Sequence, residues 1–257
     1  VSYGLAVRVL AAHQPNYLPW AGFFHKMLRS DVFVLLQHEK LSKHPHAARA
    51  EIRDPASIYP SLLTIPVKHG AGSYAEARLH DARWRHKHLT TIRQAYSKAP
   101  HFKRYYGLVE DVLCNSGTFC DITCSLIIDI ACELDAGPVV RGPLPLGAVN
   151  TSELRGADAH FSGIWATAKL IELCRMMQAD VYLSGIGGRT YLDEGAFRKA
   201  GVELVYQNFE PPRYEGMQKP GMSILDMLMH VGAEGAEGTR ALLAPSSTET
   251  FGEPLRG

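Results

Sequence analysis

The chain is short of long apolar runs, of paired cysteines and of net charge, and each shortage closes off a class of function. No stretch of its 257 residues approaches the ~20 apolar residues of a membrane-spanning helix. There are five cysteines, an odd number, and none at zinc-type spacing. Cys120 and Cys124 stand four apart in a helical pattern, which suits burial better than a cross-link. With no signal-like N-terminus, this usage reads as that of a cytoplasmic protein. The formal net charge is +1, so no overall field draws the molecule to nucleic acid or an anionic membrane. His-Glu-x-x-His and Gly-x-Ser-x-Gly are missing too. Among the twelve histidines, His44, His46, His86 and His88 lack carboxylate partners at ligand spacing, so neither a metal nor another cofactor is expected.

What is present alternates. β-type runs stand at residues 7–12, 32–36, 62–67, 181–184 and 202–206, with Pro138-Val139-Val140 standing between helical patterns. Helical patterns cover 22–29, 84–97, 102–114, 119–134, 161–178, 193–200 and 223–230, with a capping-type Asn-Thr-Ser-Glu at 150–153. Interleaved strands and helices predict an α/β, three-layer Rossmann-like fold, a mostly parallel sheet with helices on both faces. One catalytic domain over residues 1–234 and a loosely ordered tail over 235–257, rich in Gly, Ser, Thr, Glu and Pro, complete the expectation.

Three places carry candidate chemistry. The first is His13-Gln14-Pro15-Asn16-Tyr17-Leu18-Pro19-Trp20, at the carboxyl end of the first strand, where open α/β sheets bind ligands. His13 is a candidate base, Gln14 and Asn16 are hydrogen-bonding groups, and Tyr17 and Trp20 are rings for stacking. A rigid aromatic corner capping the sheet would use the same residues. The second is Ser184-Gly185-Ile186-Gly187-Gly188-Arg189, a strand ending in glycines whose N–H groups and Arg189 suit an anion; a turn needing glycine for positive φ reads equally well. The third is the basic loop beyond the second strand, with Lys43 and Arg49, and His38 beside it as a further candidate for proton transfer. The basic run Arg83–His88 reads as a solvated helix start, and Cys174 as an inert buried thiol.

From about residue 9 to residue 232 the chain resembles the WbqC-like protein family. The resemblance rests on the segment His13–Lys26, Asp31-Val32-Phe33-Val34, Ile65-Pro66-Val67-Lys68, Ser152-Glu153-Leu154, Tyr182-Leu183-Ser184-Gly185, Tyr206-Gln207-Asn208-Phe209 and Ser223-Ile224-Leu225-Asp226. What it implies is amide formation: an amino-acid-derived acyl group passed to the amine of an amino sugar or natural-product intermediate. In one place the chain departs from the family. Where relatives show two aspartates after the second strand, Gln37 and His38 stand here, and His46 and Ala48 replace a later aromatic and Asn; Arg49 keeps its match.

The resemblance thus implies an acyltransferase. Its catalytic residues would be His13 and His38, and its binding residues Gln14, Asn16, Tyr17, Trp20, Lys43, Arg49, Ser184, Gly185, Gly187, Gly188 and Arg189. The acceptor would be a small-molecule amine; the donor would be a carrier-protein or coenzyme A thioester, or an aminoacyl-tRNA. ATP-dependent nucleotidyl transfer, and a binding protein without chemistry, are the alternatives. No membrane partner is expected.

Overall fold

Period-two alternation builds the sheet. In β1 (Val9–His13), Val9 and Ala11 face one core and Leu10 and Ala12 the other. The same split recurs in β2 (Val32–Leu35), where Phe33 and Leu35 oppose Val32 and Val34, and in β6 (Val181–Ser184). Strands buried on both faces need helices on both faces, and the computed structural model, which describes residues 7–41, 46–68, 70, 72–141, 159–235 and 238–244, has them.

The sheet has five strands in the order β5-β2-β1-β6-β7, with β5 at Val139–Arg141 and β7 at Glu203–Tyr206. Every pairing in it is parallel. One face packs against α1 (Ala21–Leu28), α2 (Arg83–Tyr96), α3 (Phe102–Asn115), α4 (Phe119–Glu133) and α7 (Ile224–Val231). The other packs against α5 (Ala159–Met177) and α6 (Glu194–Lys199). The fold is therefore the expected three-layer α/β arrangement. Thr118, Asp193 and Ser223 cap α4, α6 and α7, each accepting a backbone N–H. The capping-type segment at 150–153 lies outside the described residues.

Two elements differ from the sequence reading. The apolar run at 62–67 does not enter the main sheet: β4 (Ser61–Thr64) pairs antiparallel with β3 (Arg49–Ile52), a strand whose Arg-Ala-Glu-Ile carries no β-type signal. Within the region read as a tail, α8 (Thr239–Leu243) buries Thr239 and Leu243 and packs on α1 and α7. A polar composition concealed one turn whose two buried side chains anchor it. Among the described residues no helix is long and apolar enough to cross a membrane.

Candidate functional site

The chain leaves β1 toward β2 on one side and returns beside β1 on the other as β6. Loops following β1 and β6 therefore part at the carboxyl edge, the kind of crevice where open α/β sheets hold ligands. A cavity of about 320 Å³ lies there, walled by His13 and Gln14 after β1, by Ser184, Gly185, Gly187 and Gly188 after β6, and by Glu39, Lys169, Tyr182 and Tyr191. A second cavity of about 280 Å³ adjoins it, walled by Trp20, Phe23, Gln207, Asn208 and Phe209. The two share His13, Lys26, Gly185 and Gly187. The site is thus two chambers with a common wall.

The shared glycines are not there for backbone strain. Neither Gly185 nor Gly187 has a positive φ, and a Cβ built on either meets nothing within 4 Å. Any larger residue would extend into open space, so glycine at these two positions keeps the chambers open. Gly188 is different: a Cβ there would come within 2.2 Å of Ser184 Oγ. Its N–H also donates to Gly185 O at 2.9 Å, within the tight turn over Ile186–Thr190, so it is not available to a ligand.

Lys26 is the feature that sequence reading passed over. Every residue of α1 from Ala21 to Met27 is buried, and Lys26 is only 3% exposed. Helical side chains run back toward the N-terminal turn, which carries this one to the carboxyl edge of the sheet. There Nζ donates to Ala12 O at 2.9 Å and lies 5.7 Å from the centre of the Phe33 ring. It forms no ion pair among the described residues. Burial pushes the amine down to about 7.

His13 sits beside it. Its Nδ1–H donates to Gln14 O at 3.0 Å, which leaves Nε2 of the neutral ring as an acceptor, and its edge packs on Phe23 at 5.0 Å between centroids. Burial first, and then the Lys26 charge, push the imidazole down to about 3 despite the Gln14 contact. A ring that is neutral throughout the physiological range has no titration there, and as a base it is weak.

The other expected residues divide. Trp20 remains 40% exposed, its ring lying over Gly22, where a Cβ would come within 2.3 Å of it. Asn16, Tyr17 and Arg49 instead line a separate recess of about 410 Å³ beside the β3–β4 hairpin, which Trp20 also borders. Tyr17 is fully buried and hydrogen-bonds through its hydroxyl to His88 Nδ1 at 3.0 Å, so it is a packing residue rather than a stacking platform. His38 is exposed and lines neither chamber; its neighbour Glu39 reaches the first chamber and pairs with Lys169 from α5. Gln37 accepts from Cys120 Sγ at 3.1 Å, a contact with α4. Arg189 is exposed, and its guanidinium lies 4.9 Å from the centre of the Tyr206 ring. It lines neither chamber. Lys43 lies outside the described residues.

Cys174 is buried, and burial pushes its thiol up to about 12, so it stays protonated. Among the described residues no cluster of three or more His, Cys, Asp and Glu could hold a metal ion.

The sequence model of the WbqC-like protein family matches residues 14–237. The chain is also similar to a protein of Mycobacterium tuberculosis called uncharacterized protein Rv1507c. The two are 24% identical over 239 residues, which is 90% of this chain and 97% of that one.

Proposed function

Because the chain belongs to the WbqC-like protein family, and because its cleft has two chambers that share one wall, we propose that it joins two small substrates, passing an acyl group to an amine. The shared wall carries the reading. His13, Lys26, Gly185 and Gly187 border both spaces, so groups entering from either side meet at these four residues. A transfer between two bound ligands requires that both be held against the same groups.

Each chamber has its own chemistry. The first, with Glu39, Lys169, Tyr182, Tyr191 and Ser184, is charged and rich in hydroxyls and suits a polar amine such as an amino sugar. The second, with Trp20, Phe23, Phe209 and the amides of Gln207 and Asn208, suits an acyl donor with an apolar or amide-bearing arm, as in a thioester. Gln207 is itself held in place, its Nε2 donating to Gly22 O and to His25 Nδ1, each at 2.8 Å.

The test is direct. The purified protein is incubated with aminoacyl thioesters and a panel of amino sugars and related amines, and products are followed by mass spectrometry. The expected product is an amide that forms only when both substrates and the protein are present, with release of free thiol. AMP or pyrophosphate released from added ATP would replace the reading with nucleotidyl transfer. Tight binding of both compounds without turnover would leave a binding protein.

A further inference from the structure

A buried amine without a carboxylate partner is costly to keep, because desolvation is not offset by an opposing charge. Lys26 is such an amine. It is the only lysine or arginine among the described residues that is buried, and its one polar contact is Ala12 O. An ammonium carries three N–H donors, and among the described residues Ala12 O is the acceptor that meets it. A methionine of similar length would fill the same space without that penalty. The position of the amine supplies a reason for it, since Lys26 borders both chambers where they meet.

We propose that Lys26, rather than His13, takes the proton from the attacking amine and returns it to the leaving group. This rests on the acyl-transfer reading above. In the step, the amine nitrogen forms a bond to the acyl carbon of a thioester while its N–H proton passes to uncharged Lys26 Nζ. The carbon–sulfur bond then breaks, and the thiolate takes the proton back from the Lys26 ammonium. Donor and amine become amide and thiol, and the lysine is regenerated. His13, uncharged, accepts a hydrogen bond through Nε2 and positions the incoming nitrogen.

The groups that face the same space set the field around Lys26. They are His13 at the end of β1, Glu39 after β2, Lys169 from α5, Tyr182 in β6, and Ser184 and Tyr191 beyond it. Glu39 is engaged by Lys169, so the nearby acid does not hold Lys26 charged. The second chamber adds the uncharged amides Gln207 and Asn208 to this polar set. An amine pushed down to about 7 is free to accept a proton near neutrality.

Two measurements test the proposal independently. In protein labelled with 13C at lysine Cε, NMR should show one lysine titrating near pH 7, absent from K26M. If every lysine titrates above about pH 10, Lys26 is a charged structural residue and the proposal is wrong. In the transfer assay, kcat should rise with pH to a plateau with a midpoint near 7, the value burial sets for Lys26. K26M should lower kcat about 10²–10⁴-fold with KM little changed. K26R should fall equally, because a guanidinium does not release its proton. Undiminished transfer by K26M would overturn the assignment while leaving acyl transfer standing. Titration near 7 in a protein that joins no donor to any amine would overturn acyl transfer, and with it the role assigned here, while the uncharged amine stands.

Discussion

Two of the buried polar centres among the described residues, around Asp226 and Lys26, are built in opposite ways. Asp226, at 0% exposure in α7, is saturated: Tyr96 Oη donates to its Oδ1 at 2.8 Å, Tyr214 Oη donates to Oδ2, and His230 Nδ1 stands 3.8 Å away. Tyr96 in turn accepts the Arg53 N–H at 2.9 Å, so α2, α7 and the end of β3 are tied together. Burial and then the Asp226 charge raise both tyrosines, which keeps their protons on and the network intact. Lys26 has one partner and a cavity on either side. A saturated buried network stabilises a fold. A sparse one beside open space costs stability, and that is the pattern expected where chemistry is done.

The largest expected effect is on the saturated side. Asp226→Ala removes two charge-assisted hydrogen bonds of about 1.5–3 kcal/mol each and leaves two tyrosine hydroxyls without their acceptor. Denaturant unfolding should show a loss of about 3–6 kcal/mol. A loss below about 1 kcal/mol would mean that the network is replaced by water and that the contrast is false.

His13 sharpens the other side. Its pKa falls from 6.5 in the unfolded chain to about 3 in the fold. The stability tied to its neutral form is complete above pH 6.5 and is lost as pH falls toward 3. His25 and His88 behave alike, pushed down to about 4 chiefly by burial. His13→Gln should therefore keep about 1–3 kcal/mol more of its neutral-pH stability at pH 4 than the parent does. The midpoint of the rate profile near 7 should not move. A shifted midpoint would return the proton-accepting role to His13.

The smallest effect is expected at Arg189. Exposed over Tyr206 and away from both chambers, it should cost about 0.5–1 kcal/mol of stability when changed to Ala. Substrate affinity, measured by calorimetry, should be unaltered. A tenfold weaker ligand would place an anion outside the two chambers.

The distribution of these roles explains what could be read beforehand. The strands of the main sheet and the longer helices were legible because apolar periodicity is local, and the shared wall of His13 and Gln14 with Ser184–Gly188 follows from the parallel strands that each segment leaves. Lys26 was not legible, although it closes the conspicuous stretch that opens at His13. A lysine on a short helix reads as surface, and the cavity walls it shares with Gly185 and Gly187 come from far along the chain. The pairing of Glu39 with Lys169 spans 130 positions and left no local mark. Tyr17 looked like a ligand platform because its partner, His88, is 71 residues distant. His38 stands one residue before Glu39, which lines the first chamber, and strand ends are not defined to a single residue by pattern alone.

The central claim, that Lys26 is an unpaired amine held against the stability of the fold, can be tested without a substrate. Its pKa is 10.5 when unfolded and about 7 when folded. Between those values the unfolded chain keeps a proton that the folded protein has released, so unfolding becomes harder as pH rises. Denaturant unfolding of the parent and K26M at intervals from pH 7 to 10 should show the parent gaining more than about 1 kcal/mol relative to K26M. Parallel curves would mean that Lys26 stays charged in the fold, and the account would be contradicted.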